Sequence, residues 1–262
     1  MPAPDPSSEA ALRLAMFVGV LMAMLLWEQR APARPALAPT ALRRVNNLSL
    51  VALDTALVRL VFPVLAVTLA AARDGGGLFG LLPLPGWLAT VTAIILFDLA
   101  IYWQHRLFHA VPALWRLHRV HHADPDVDVT TALRFHPGEI ILSMAIKLGL
   151  VWLLGPPAVA VMLFEIVLNA SAMFNHGNVA LPGRLETALR RIIVTPEMHR
   201  VHHAAHPADM NRNFGFCLSL WDHAFASHAA AAHQPGRLGL PGPVPVPRDL
   251  WIDRLLTLPW RS

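Results

Sequence analysis

Residues 118–122 read HRVHH, and residues 199–203 read HRVHH again. In each copy the histidines stand at i, i+3 and i+4, offsets that stack side chains on one face of a helix. His105 and His109 form a further i, i+4 pair. Neutral imidazole is the commonest metal ligand near neutral pH, and these clusters together with His176 hold enough nitrogens for two ions. Adjacent histidines such as His121 and His122 point apart on a helix, so each can serve a different ion. Without metal, a buried cluster would leave donors and acceptors unpaired at about 1–3 kcal/mol each. A solvated cluster would have no reason to repeat a helical spacing. The flanks of the two pentamers do not match, so they read as two halves of one site rather than as a duplicated domain. The isolated His206, His223, His228 and His233 read as packing or surface residues.

Nitrogen-only ligation suits iron, zinc, copper or nickel. A structural zinc needs only four ligands, fewer than are present. Two neighbouring ions imply chemistry on a small bridging species such as water or dioxygen. Cys217 is the only cysteine, which excludes an internal disulfide or a multi-thiolate site; within the apolar run NFGFCLSLW it reads as packing.

The elements that must carry these residues are membrane helices. The chain has 262 residues, 55% hydrophobic and only 15% charged, where soluble domains carry roughly 25% charged. No tract dense in Lys and Arg with interleaved aromatics points to nucleic acid, and the net charge of +4 needs none. Apolar stretches cover 11–27, 48–72, 87–104, 140–154 and 157–174. The first three are long enough to span. The last two are short, parted by Gly155-Pro156-Pro157, and read as a tight hairpin that crosses fully or in part. The stretch 11–27 reads as a retained helix and not a signal peptide, because its leading residues lack Arg and Lys and no small-residue cleavage site follows.

Loop 28–47 carries Arg30, Arg34, Arg43 and Arg44, while loop 73–86 carries only Arg73. The positive-inside rule therefore makes the first loop cytoplasmic. Following the spans, every histidine cluster falls on that same face. Residues 229–250 are rich in Ala, Gly and Pro and read as an extended surface segment; 250–260 reads as a short interfacial helix. A site at the membrane edge beneath apolar helices predicts a lipid substrate.

Six segments occur in a distinctive order: DLAIYWQHRLFH (98–109), WRLHRVHH (115–122), TTALRFHPGE (130–139), FNHGN (174–178), TPEMHRVHH (195–203) and NFGFCLSLWD (213–222). Over roughly 90–225 the chain resembles the fatty acid hydroxylase / sterol desaturase superfamily of integral-membrane di-iron oxygenases. The resemblance implies an all-α polytopic membrane bundle with a cytosolic histidine-rich helical cap. It divides the chain into N-terminal transmembrane helices (1–86), the di-metal domain (87–228) and a Pro/Gly-rich tail (229–262). It implies O2-dependent hydroxylation or desaturation of a lipid such as a fatty acyl chain, a sterol or hopanoid, or a carotenoid. Two iron ions are the expected cofactor, with zinc an alternative occupant in isolated protein, and O2 the co-substrate. The implied ligands are His105, His109, His118, His121, His122, His176, His199, His202 and His203.

His136 is either a ligand or, the favoured reading, a residue that supports one. Asp98, seven residues before His105 and so on its helical face, is expected to orient a ligand histidine; Asp124, Glu139, Glu197 and Asp222 are weaker candidates for that role. The last motif continues as WDHAFASH (221–228), where the family often has Gly-Thr. With no residues left for a haem module, electrons are expected from a separate ferredoxin or cytochrome b5-like donor. The expected location is a bacterial-type inner membrane, or another cellular membrane, with the site on the cytoplasmic side. Two other classes remain. A metal transporter would place its ligands within the spans, which hold few ionisable residues (Arg59, Asp98, Lys147, Glu165). A dinuclear hydrolase of lipid esters or ethers would mix carboxylates among its ligands.

Overall fold

The computed structural model describes residues 6–233 and 236–261; residues 1–5 of the N-terminal stretch and residues 234, 235 and 262 lie outside it. Its helices are α1 (Pro6–Arg30), α2 (Thr40–Val61), α3 (Ala66–Ala72), α4 (Gly77–Gly80), α5 (Gly86–Ala110), α6 (Pro112–His122), α7 (Pro137–Leu154), α8 (Ala158–Asn175), α9 (Gly183–Leu189), α10 (Pro196–His202), α11 (Pro207–Met210), α12 (Leu220–Ala224) and α13 (Ile252–Thr257). Among the described residues there is no strand, only two isolated bridges. α1, the stretch from α2 through α4, α5, α7 and α8 are each long and apolar enough to cross a membrane. The architecture is an all-α polytopic membrane bundle bearing a helical cap.

The stretch 48–72, expected as one helix, is broken. Helix α2 stops at Val61 and α3 starts at Ala66. Pro63 explains the break: it offers no N–H to the helix and disfavours helical geometry in the residue before it. The break lets α3 wedge between α7 and α8, against both of which it packs. Alanines at the contacts (Ala66, Ala70, Ala89, Ala93, Ala160) are buried. Such small residues let helices approach closely where no hydrophobic effect between lipid-facing surfaces drives them together. At the end of the bundle remote from the histidines two turns interlock. Gly77 and Gly155 both have φ +60, and a Cβ on Gly77 would come within 2.6 Å of the Gly155 nitrogen. Only glycine fits that geometry.

At the other end α1, α2, α5, α7 and α8 converge on the cap. Pro112, Pro137 and Pro196 stand at the first turns of α6, α7 and α10, where a missing N–H is harmless. Thr195 caps α10 by accepting the Met198 N–H. Arg43, 1% exposed, reaches the carboxylates of Asp124 and Asp128 at 3.2 and 2.8 Å. Arg44 bridges Asp128 and Glu28. Glu28, near the end of α1, also accepts the Val129 and Asn178 N–H groups at 2.7 and 2.9 Å. Two of the four arginines that set the expected orientation, Arg43 and Arg44, are therefore also clamps between α2 and the cap. The C-terminal segment is less extended than expected: Leu238 is buried, Gly239 N–H donates to His203 O, and α13 packs on α2 with Leu255 against Leu50 and Val120.

Candidate metal centre

The nine clustered histidines fall into two groups. One holds His105, His109, His118, His122 and His202; the other holds His121, His176, His199 and His203. Within each group one nitrogen per residue lies within 4.8 Å of all the others. Helix α5 delivers His105 and His109 from its last two turns, and α6 and α10 carry the two pentamers. Each pentamer serves both groups. The first gives His118 and His122 to the five-membered group and His121 to the other. The second gives His199 and His203 to the four-membered group and His202 to the first. The adjacent histidines thus separate, as their helical directions require.

Backbone and carboxylate acceptors fix the ring tautomers. The Nδ1–H groups of His105, His121, His176 and His202 donate to the carbonyls of Phe214 (2.9 Å), Arg134 (3.2 Å), Ala172 (2.7 Å) and Arg212 (2.8 Å). His118 Nδ1 donates to Glu139 Oε1 at 2.7 Å. A carbonyl can only accept, so the four carbonyl-bound imidazoles, when neutral, present a bare lone pair at Nε2. His176 Nε2 nevertheless lies 3.0 Å from His121 Nε2, 3.0 Å from His199 Nε2 and 3.2 Å from His203 Nε2. The lone pairs of His121 and His176, whose Nδ1–H groups are both committed to carbonyls, repel at that distance unless a cation sits between them. Nitrogens held about 2.0–2.1 Å from one ion are themselves about 3.0–3.4 Å apart. In the other group Nε2 of His105, His109, His118 and His202 is buried with no hydrogen-bond partner. The residues therefore fit two nitrogen-ligated cations.

Burial, reinforced by neighbouring imidazoles, holds His121, His122, His199 and His203 far below the usual histidine range. Burial likewise lowers His176 to about 4 and His202 to about 3. All six are neutral at pH 7, the form that ligates metal. Aromatic rings fence the centre: Phe135 stacks on His121 at 4.5 Å, Trp115 lies 4.9 Å from His109, and Phe214 meets His105, His109 and His202 edge-on or tilted. On the membrane side, a cavity of about 280 Å3 between α5, α7 and α8 reaches His105 and His118 past Ile101, Phe108, Phe135 and Phe216. A cleft in the cap reaches His109 beside Trp115 and Arg119.

One sequence expectation is revised and one alternative is removed. Asp98 touches no histidine in the hydrogen-bond network. Its carboxylate accepts the N–H groups of Cys217 and Leu218, at 3.1 Å each, and the Trp221 indole N–H at 2.8 Å. The loop after Phe214 presents these donors within reach of α5, and they take the charge instead. Asp98 acts on the centre only through that loop, whose Phe214 carbonyl holds His105. His136 stands outside both groups: its Nδ1 accepts the Gly138 N–H at 3.0 Å and its Nε2–H donates to Leu256 O at 3.2 Å, so neither nitrogen is left for a metal. Of the weaker carboxylates, Glu139 meets a clustered histidine. Asp222 holds the Phe214 and Gly215 N–H groups, buried Asp124 joins the Arg43 network, and Glu197 pairs with Arg200. Sequence reasoning missed the carbonyl acceptors at Arg134, Arg212 and Phe214, because any residue type offers a carbonyl.

The family model for fatty acid hydroxylase matches residues 90–227, more than half of the chain. Alkylglycerol monooxygenase of Homo sapiens is 29% identical over 138 residues, 51% of this chain and 29% of that protein. Ornithine lipid hydroxylase OlsE of Rhizobium tropici is 30% identical over 148 residues, 56% of this chain and 42% of that protein. The matched region spans less than half the length of these curated relatives. No solved structure matches the chain.

Proposed function

The chain belongs to the fatty acid hydroxylase family, and from that premise we propose that it is an O2-dependent di-iron membrane oxygenase that hydroxylates, or desaturates, a lipid drawn from the bilayer. One observation carries the reading: two all-imidazole groups stand side by side, and His105 and His118 of one of them also line the apolar cavity between the spans. In this reading the nine histidines are the ligands. Iron bound there supplies one-electron chemistry on O2, strong enough to attack an unactivated C–H bond. The protein's own contribution is placement. Carbonyls and Glu139 lock five of the rings with Nε2 turned inward. The aromatic rings limit the open approach to the cleft at His109, and the cavity holds an apolar chain against His105 and His118. The relatives named for alkylglycerol and ornithine lipid both act on lipids, which supports a lipid here without choosing one. Electrons come from a separate ferredoxin or cytochrome b5-like protein, and the cap lies on the cytoplasmic side of a bacterial-type inner membrane.

The test is reconstitution of the full chain with iron, a reductant system and a bacterial lipid extract under labelled O2. Two bound metals per chain and label in a lipid product are expected. Fewer than two metals in folded protein overturns the reading. Lipid cleavage without O2 replaces it with hydrolysis, and metal flux in proteoliposomes replaces it with transport.

A further inference from the structure

The cavity beneath the histidines does not end in hydrocarbon. Its far end is lined by Arg13, Lys147, Glu165 and Asn169, contributed by α1, α7 and α8. Lys147, the only lysine of the chain, donates to Glu165 Oε1 at 2.6 Å. Arg13 meets Glu165 Oε2 at 2.7 Å, and its other terminal nitrogen meets Glu9 at 2.9 Å. Glu165 precedes His176 by eleven residues on one helical run, so the two lie roughly 16 Å apart at about 1.5 Å per residue. Ionisable side chains this far inside a span are costly and mark function more often than structure.

A purely structural role, a latch joining α7 to α8, accounts for the Lys147–Glu165 pair but not for two further features. Lys147 uses one of its three N–H donors on Glu165, and among the described residues the others have no protein acceptor. The polar character also continues up the cavity wall, where Gln104 donates to Ser143 at 2.9 Å. The charges then select the ligand. Arg13 and Lys147 balance Glu9 and Glu165, so the cluster is formally neutral. A carboxylate or phosphate would leave it negative in a low-dielectric setting, whereas a hydroxyl or carbonyl oxygen simply accepts from Lys147.

We propose that this end of the cavity is a docking subsite for the uncharged, oxygen-bearing terminus of a long-chain amphiphile, with Lys147 as the donor. The chain of that amphiphile then runs between α5, α7 and α8 and presents a carbon remote from its polar end to His105 and His118. The subsite deepens the oxygenase reading, and only the fate of that remote carbon rests on it.

The test is binding, not turnover. The full chain in nanodiscs is equilibrated with equal amounts of tetradecanol, tetradecanoic acid and tetradecane, and native mass spectrometry reads which is retained. Wild-type protein is expected to retain the alcohol about tenfold over the acid and the alkane, the preference one hydrogen bond to a charged donor confers. K147M should abolish the preference over the alkane, and K147R should keep it. Retention of the acid at or above the alcohol overturns the uncharged class. An alcohol preference unchanged in K147M overturns the subsite. Should K147M not fold, the wild-type ranking decides alone: no preference for the alcohol over the alkane overturns the proposal. An alcohol preference in protein that shows no O2-dependent product leaves the subsite standing and removes the oxygenase reading, so the two failures are distinct.

Discussion

Replacing Glu139 separates the two candidate cation sites. Its carboxylate accepts the His118 Nδ1–H at 2.7 Å, and both side chains are buried. His118 belongs to the five-membered group alone. A hydrogen bond to a charged acceptor contributes about 1.5–3 kcal/mol, against about 0.5–1.5 for a neutral one. E139Q keeps an acceptor oxygen but loses its charge, a difference of about 1.4 kcal/mol, or about tenfold in affinity. E139A removes the acceptor altogether and frees the ring to turn, so about 100-fold is expected, the upper end for a group that orients a ligand histidine. The assay is chelator titration of metal-loaded protein followed by elemental analysis of what remains bound. Wild-type protein should release its two metals at similar chelator concentrations. The variants should release one metal early, in the order E139A before E139Q, and hold the other as wild type does. Equal weakening of both metals refutes independent groups, and an E139A protein within about twofold of wild type refutes the orienting role.

Three further outcomes follow from the same geometry. H121A and H122A change neighbouring residues that face different groups, so each single variant should lose a different metal and the double variant both; a double variant that keeps the metal content of either single counts against the division. The metal-free protein should lose thermal stability as pH falls below about 6.5, because the unfolded chain takes up protons there while His176 and His202 in the fold do not until about 4 and about 3. Protons bound by the unfolded state in excess make the slope positive with pH, about 1.4 kcal/mol per group per pH unit inside that window; a melting temperature that stays flat from pH 7 to pH 5 would show that these rings are not held neutral. D98A leaves two backbone N–H groups and one indole N–H without their acceptor and should lower stability by roughly 3 kcal/mol, seen as earlier unfolding in detergent with metal content unchanged in the folded fraction. Metal loss without that destabilisation would restore a direct role toward a histidine.

The histidine grouping was legible in the sequence because ligand spacing is a local property. Offsets of three and four on a helix fix which rings share a face, and that accounts for the separation of His121 from His122 and of His202 from His203. The membrane helices were legible from hydrophobicity, yet the break at Pro63 was not, because the apolar run continues across it and only backbone chemistry interrupts the helix. Asp98 shows the limit of arguing from helical faces. Its spacing from His105 suggested a partner there, but a loop from more than a hundred residues later offers it three donors, and nothing local announces that loop. The link of Arg13, Lys147 and Glu165 was likewise hidden, since it joins α1, α7 and α8, elements distant in the chain.

The crossing of the pentamers bears on how the cap forms. If each pentamer filled one group, α6 and α10 could each bind a metal separately and dock afterwards. Instead each group draws on both helices, and the five-membered group draws on α5 as well. Neither cation can be fully ligated until α6 and α10 meet, the five-membered group at the end of α5 and the four-membered group at His176 after α8, so each metal favours the docked arrangement of the two helices. Without cations the same packing sets the Nε2 lone pairs of His121 and His176 3.0 Å apart, a repulsion that opposes docking. Outside the centre, Arg43 with Asp124 and Asp128 and Glu28 with Val129 and Asn178 join the cap to α2 and α1. These ties hold the cap to the bundle whether or not metal is bound. Metal removal is therefore expected to loosen α6 against α10 locally and to leave the membrane helices in place. Hydrogen exchange should then report faster exchange in 112–122 and 196–203, with 158–175 protected in both states. Equal loosening of α8 would mean that the cations support the bundle itself and not the cap alone.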